Sequence, residues 1–368
     1  MTFLISVKGV KATKGVKATK DVKEKFILEY LQNELNKTKS MIDNHVGDWN
    51  RIKKYIHDHE YIYYSSYRKK NISSITPVSR SYFKFREIYF EYKIQVNHLS
   101  TVCTLAEAPG GFIQSIIHLC PGNSCPRIYA NSLLPTNKSI PNWNNTIKKE
   151  RLEFVYGMKN NGDLCDFLNL ISMVKKIGKS SCSLVTGDGG FDYSSNYSKQ
   201  EYNSLRLIYS EIFVALNIQS KGGNFICKIF DTFMEETIDL LYLLNLSYEK
   251  VYLHKPKMSR NSNSEKYIVC LNFKGYNKVF INKLCHSFET LKLNISTTDL
   301  FYDNLMKYII EYTIQQIKSI NKGIDIIDDM SSRGNTSRDS EPSTKQLNMA
   351  IEWCNKYDIK VNDKCIYL

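Results

Sequence analysis

The chain has 368 residues, 42% hydrophobic and 24% charged, which suits a globular protein of one large domain with appendages, or of two domains. No apolar run approaches a membrane span, and the opening MTFLISV is too short for a signal segment before lysines begin, so an intracellular protein in the cytoplasm or nucleus is expected. A formal net charge of +13 and a pI of about 9.1 bias the chain towards a polyanionic partner such as nucleic acid or an anionic surface. The ten cysteines fit a reducing compartment: Cys103, Cys182, Cys227 and Cys270 lie inside apolar segments, where a thiol packs like a small hydrophobe. There is no C-x-x-C, and the pair Cys120/Cys125 has no matching His or Cys pair, which argues against a structural zinc.

Residues 1–25 read as a basic low-complexity arm, with the hexamer GVKATK at 9–14 and again at 15–20 and seven lysines between residues 8 and 25. Such an arm is either a solvated tail or a salt-dependent phosphate grip. Apolar residues at helical spacing from Phe26 to Trp49 predict a helical extension over 26–75. Its end carries YIYYSSY at 61–67 followed by RKK, aromatics and cations that either stack on bases or form an ordinary packed edge. After Pro77, the segment Ser79 to Tyr92 has a helix-start signature with Ser79 as cap, and Arg80 and Lys84, one turn apart, would share a face.

The stretch from Thr101 to Gln114, TVCTLAEAPGGFIQ, reads as strand, tight glycine turn and helix. Paired glycines remove Cβ atoms where a ligand must approach the backbone, and the next helix offers unpaired N–H groups at its start. A purely structural crossover is the alternative. Further strands are predicted at 127–133, 152–156, 183–186, 223–230, 250–254 and 265–273, with helices at 164–177, 198–218 and 234–244. This alternation predicts an α/β domain over 76–275, a mostly parallel sheet with helices on both faces, and ligand binding outside the carboxyl ends of the strands. A helical extension over 276–330, a polar linker over 331–346 and a small amphipathic element over 347–368 complete the chain.

Three charged residues stand where charge is costly: Lys228 interrupts the apolar run FICKIF, Asp188 ends SLVTGD, and Glu265 opens EKYIVCL. Because GNFICKIFD does not alternate polar and apolar residues, its strand should be covered on both faces. A lysine there belongs at the carboxyl end, over the crevice; a solvent-facing edge position is the other reading.

These segments together resemble the FtsJ/RrmJ-type family of S-adenosylmethionine-dependent RNA ribose 2′-O-methyltransferases, above all the mRNA cap methyltransferases of eukaryotes and large DNA viruses. The resemblance covers roughly 76–275 and rests on five segments in order: SRSYFKFREI, LAEAPGGF, VTGDGGFD, GNFICKIFD and KPKMSRNSNSEKYIVC. It implies a Rossmann-like seven-stranded sheet and a Lys-Asp-Lys-Glu tetrad, carried here by Lys84, Asp188, Lys228 and Glu265. It also implies a cofactor loop of Glu107, Ala108, Pro109, Gly110, Gly111 and Phe112, with Asp188 at its side. Asp163 resembles a residue that contacts the adenine, or else is a helix N-cap. Many members carry an acid where Thr104 stands; Glu107, inside the loop, is the candidate to contact the methionine amino group instead. The implied substrate is RNA, most specifically the first transcribed nucleotide of capped mRNA, with ribosomal or other structured RNA as the alternative. A catalytically silent RNA-binding subunit of a capping complex is the rival from another class. Base methylation is disfavoured, because Gly187-Asp188-Gly189-Gly190 stands where such enzymes carry an Asn/Asp-Pro-Pro-aromatic loop. Capping or transcription proteins are candidate partners, no membrane is expected, and a viral source would place the protein in a virus factory or virion.

A ribose hydroxyl is a poor nucleophile at neutral pH, so it must be oriented and must lose its proton. A lysine does this only if its pKa falls from about 10.4 towards about 7–8. Lys228 is the expected base, Lys84 its cationic neighbour and substrate clamp, and Asp188 and Glu265 the groups that orient them. The carboxylates pull the lysine pKa back up, so the four titrate together. This chemistry invokes no metal. The segment SRNSN at 259–263, with Arg260, suits ribose and phosphate contacts, and the 61–67 tyrosines and Trp143 are candidates to stack on a cap guanine.

Overall fold

The structure, a computed structural model, describes residues 2–5, 18–147, 152–190, 199–332 and 341–368; the centre of the basic arm and of the linker lie outside the described residues. The chain divides into two compact units.

The first unit comprises Met1–Thr13, Ser81–Pro256 and Glu265–Lys307. It holds one sheet of eight strands: β1 (Thr2–Leu4), β2 (Thr101–Leu105), β3 (Arg127–Ala130), β4 (Leu152–Phe154), β5 (Cys182–Gly187), β6 (Gln219–Ile229), β7 (Tyr248–His254) and β8 (Lys266–Phe273). Their order is β1-β7-β8-β6-β5-β2-β3-β4. Strands β2 to β6 pair in parallel, while β8 runs antiparallel to both β6 and β7. The α/β class is as expected; the count exceeds the expected seven by the N-terminal strand β1. Its Phe3 pairs antiparallel with Leu253, and the adjacent Ile5 is fully buried with its N–H on the Val251 carbonyl at 2.9 Å. The apolar opening MTFLISV thus contributes an edge strand.

Residues 102–105 of β2 and 266–270 of β8 are buried without a break, the mark of a sheet covered on both faces. The helices of this unit are α3 (Ser81–Glu91), α4 (Gly111–Leu119), α5 (Phe167–Ile177), α6 (Gln200–Ile218), α7 (Glu235–Ser247), α8 (Lys278–His286) and the first turns of α9 (Asp299–Ser332). Helix α6 is buried at every position from Leu207 to Ile218, so it is an interior helix rather than an amphipathic one. The sequence order of the strands reverses between β2 and β5, and the crevice outside their carboxyl ends is the expected ligand position.

The second unit comprises Lys14–Arg80, Lys257–Ser264 and Tyr308–Leu368. Its helices are α1 (Ala18–Met41), α2 (Val46–Tyr55), the remainder of α9, and α10 (Thr344–Lys356), which opens on a capping box between Ser343 and Gln346. Ile42, Trp49 and Ile52 pack against Ile320, Ile324 and Ile327 of α9, and Gly323 makes room for the indole, since a Cβ there would lie 2.5 Å from Trp49 Cζ3. Of the tyrosine run, Tyr61 is buried, stacked on Tyr64 at 4.9 Å and edge-on to Tyr367, so it belongs to a packed edge, whereas Tyr67 is exposed. Arg80 precedes α3 instead of sharing its face with Lys84. It donates to the buried Glu60 at 3.1 Å, and Arg260 grips the same carboxylate through Nε at 2.9 Å and a terminal nitrogen at 2.5 Å. The Arg260 fork expected to serve a phosphate is therefore committed to Glu60.

Candidate active site

The first unit brings the four tetrad candidates together. Parallel register sets Gly187 of β5 beside Cys227 of β6, so Asp188 and Lys228, the next residues, end level. Antiparallel register sets Lys228 opposite Tyr267 of β8. Side chains two apart on a strand share a face, so Glu265, just before β8, points the same way as Tyr267. Lys84 reaches in from α3, whose Phe83, Phe85 and Ile88 are fully buried.

The contacts are close. Lys84 Nζ lies 2.7 Å from Oε1 of Glu265 and donates to Oε2 at 2.8 Å. Lys228 Nζ donates to the main-chain oxygen of Asp188 at 2.7 Å and lies 3.4 Å from its Oδ1. Lys84, Asp188, Lys228 and Glu265 are each 12–15% exposed, so they are lodged in the protein yet reachable. Gly190 leaves room for the amine, because a Cβ there would lie 3.1 Å from Lys228 Nζ.

The electrostatics decide between the two opposing effects expected at Lys228. Burial alone would lower the Lys228 pKa, but Asp188, Glu265 and Glu211 outweigh it and hold the pKa above its ordinary value. Without ligand Lys228 is an ammonium, not a poised base. Burial likewise pushes against the Glu265 charge, yet Lys84 and Lys228 hold its pKa down to about 2.

The glycine loop has a defined geometry. Gly110 has φ +110°, a region that side chains rarely adopt, and Gly111 opens α4. Glu107 is buried, and its Oε1 accepts the N–H of Phe112 at 2.7 Å and of Ile113 at 3.4 Å. Burial, and then the neighbouring Asp188, push its pKa well above the carboxylate range. Glu107 therefore caps the helix with that oxygen, while its buried Oε2 has no hydrogen-bond partner among the described residues. Thr104 is fully buried and turns its hydroxyl to the Tyr129 carbonyl at 3.4 Å, inside the sheet. The Phe112 ring is core, 5.0 Å from Phe85 and 5.9 Å from Tyr267, so it offers no side-chain contact. The first α4 N–H groups are thus capped by a carboxyl.

Asp163 is not the helix cap. Its Oδ1 accepts the Cys165 N–H at 2.8 Å in a turn, while Asp166, in extended conformation, caps α5 through the N–H groups of Leu168 and Asn169. Trp143 is 5% exposed and sits edge-on to Phe154 at 5.2 Å, so it presents no open face for stacking.

Three neighbours of the cluster were missed from sequence. Tyr267 donates its hydroxyl to Asp188 Oδ1 at 2.7 Å, and its position two residues after Glu265 was the available signal. Lys255 is buried and donates to the Glu265 main-chain oxygen at 2.8 Å. Burial, and then the charge of Lys266, push the Lys255 pKa well down. Glu211 stands inside the apolar helix α6, an acid in LIYSEIFVALNI. Among the described residues no group of three or more His, Cys, Asp or Glu side chains is arranged to hold a metal ion, and no helix is long and apolar enough to cross a membrane.

Residues 77–273 match the FtsJ-like methyltransferases. That match covers more than half of the chain, and the chain belongs to this family. Among curated relatives, the mouse protein named cap-specific mRNA (nucleoside-2′-O-)-methyltransferase 2 is 32% identical over 262 residues, 67% of this chain and 34% of the mouse protein. The cap-specific mRNA (nucleoside-2′-O-)-methyltransferase of Autographa californica nuclear polyhedrosis virus is 31% identical over 213 residues, 57% of this chain and 79% of the viral protein. The Caenorhabditis elegans protein named cap-specific mRNA (nucleoside-2′-O-)-methyltransferase 1 is 41% identical over 134 residues, 35% of this chain and 14% of that protein. The chain thus spans about a third of the mouse relative and a smaller part of the nematode one.

Proposed function

We propose that this chain transfers the methyl group of S-adenosylmethionine to a ribose 2′-hydroxyl of RNA, and that its acceptor is the first transcribed nucleotide of capped mRNA. The observation that carries the reading is the cluster of Lys84, Asp188, Lys228 and Glu265 at the carboxyl edge of an FtsJ-like sheet. The relatives named cap-specific support the choice of acceptor, and the surplus of positive charge agrees with a phosphate backbone.

The glycine loop of Ala108, Pro109, Gly110 and Gly111 would hold the cofactor beside Asp188. Bound S-adenosylmethionine supplies an electrophilic methyl on a cationic sulfur, a charge that opposes the carboxylates' hold on the Lys228 proton. Lys84, anchored on Glu265, would clamp the ribose and fix the direction of attack. Lys228 would orient the 2′-hydroxyl and, as the neutral amine, take its proton. Asp188 keeps that amine aimed through its main-chain oxygen and is itself steadied by Tyr267.

The test compares methyl transfer to capped and uncapped transcripts of one sequence. Transfer to the capped RNA alone is expected; equal rates on both would overturn the cap assignment.

A further inference from the structure

We propose that Glu211 is a positioning residue of this site: its carboxyl ties the turn carrying Asp188 to the strand carrying Lys228, and its charge state sets the pH at which Lys228 gives up its proton. The inference rests on the proposed function for its catalytic consequence and on geometry for its structural one.

Glu211 lies on the interior helix α6 and is fully buried. One carboxyl oxygen accepts the N–H of Gly189, the residue after Asp188, at 3.3 Å. The other accepts the thiol of Cys227, the residue before Lys228, at 3.2 Å. The turn is shaped around this carboxyl. A Cβ on Gly187 would lie 2.6 Å from Glu211 Cδ, and one on Gly189 would lie 2.7 Å from Oε1, so glycine at both places is what admits the side chain. A single side chain thus holds β5 and β6 at the points where they deliver Asp188 and Lys228.

The charge follows from the surroundings. Around the carboxyl stand Asp188 on the turn, Cys227 and Lys228 on β6, and Cys165 from the loop before α5. Burial dominates and pushes the Glu211 pKa up to about 8. At neutral pH it is a neutral carboxylic acid, and above pH about 8 a carboxylate. Around Lys228 stand Asp188, Glu265 and Glu211, each of which as a carboxylate raises the lysine pKa, together with Glu107 from the glycine loop and Cys227 beside it on β6. Ionised Glu211 therefore tightens the lysine's hold on its proton and moves the alkaline rise in turnover to higher pH.

The test uses the full chain with 13C-labelled lysine, the Lys228 signal being assigned by its loss in Lys228→Met. In Glu211→Gln, which keeps the volume and stays neutral, Lys228 is expected to titrate about one pH unit lower than in the wild type. The alkaline rise of kcat on capped RNA is expected to move down with it. Glu211→Ala is expected to lower kcat at least about tenfold, since it leaves the buried Gly189 N–H unpaired. S-adenosylhomocysteine affinity should change less than about twofold in Glu211→Gln. Superimposable Lys228 titrations in wild type and Glu211→Gln overturn the proposal even if Glu211→Ala fails to fold. If the wild type methylates no RNA, the proposed function fails, and the Lys228 titration still decides the role of Glu211.

Discussion

Lys228 meets Asp188 twice: its ammonium donates to the main-chain oxygen at 2.7 Å and lies 3.4 Å from the side-chain Oδ1. The lysine is thus held by the backbone at the end of β5 as well as by a charge, so its position depends on the fold of the Gly187–Gly190 turn. Tyr267, opposite Lys228 in the ladder, supplies the remaining restraint by donating to the same carboxylate at 2.7 Å.

Tyr267→Phe removes that donor and little else. Losing one hydrogen bond to a charged group is worth about 1.5–3 kcal/mol, which predicts a fall in kcat of about tenfold or more with KM and cofactor affinity unchanged. Steady-state kinetics check it, and an unchanged kcat would remove Tyr267 from the site's support.

The Glu265 pair gives the fold an acid limit. Its carboxyl titrates near pH 2 in the folded protein, below the value of about 4.3 in an unfolded chain. The pair's stabilisation is therefore fully present above pH about 4.3 and is lost as pH falls towards about 2. Urea unfolding of the wild type should weaken from pH about 5 to about 3, and the Glu265→Gln variant should weaken less across that interval. Parallel declines would contradict the ion pair.

Gly110 carries the loop's left-handed turn. Alanine there meets φ +110° and places a Cβ 2.8 Å from Ile147 Cγ1. Such backbone strain costs about 1–3 kcal/mol. If the loop cradles the cofactor, Gly110→Ala should weaken S-adenosylhomocysteine binding about tenfold by calorimetry and lower the melting temperature. Wild-type affinity in the variant would detach the loop from the cofactor.

The second unit turns on a buried acid. Glu60 has no exposed side-chain surface and holds both Arg80 and Arg260. Glu60→Ala leaves two guanidinium groups without their carboxylate and should cost about 3 kcal/mol. Chemical unfolding should show it, and restoration by Glu60→Asp is expected to be partial. A stability change under about 0.5 kcal/mol would mean that the arginines relax to solvent.

The alternation of strands and helices, the glycine loop and the strand-end charges were legible because each leaves a local pattern. Asp188, Lys228 and Glu265 stand out as charges against apolar strands. What escaped depends on partners far apart in sequence. That Glu107 caps α4 with one oxygen, through the N–H of Phe112, and leaves the other buried without a partner could not be read from its place in the loop. Arg260 reads as a phosphate contact until Glu60, 200 residues away, is found in its fork. The balance at Lys228, burial against three nearby carboxyls, was legible as a contest but not in its outcome, which is set by packing and not by sequence spacing. The edge strand β1 was missed because three residues carry too little pattern to separate from a flexible end.

The most direct measurement incubates the protein with S-adenosylmethionine and RNA carrying an unmethylated first nucleotide behind its cap, digests the RNA, and locates the added methyl by mass spectrometry. The wild type should place one methyl on the 2′-oxygen of that nucleotide, and Lys228→Ala should place none while still binding S-adenosylmethionine. A methyl on a base, or undiminished transfer by Lys228→Ala, would contradict the account.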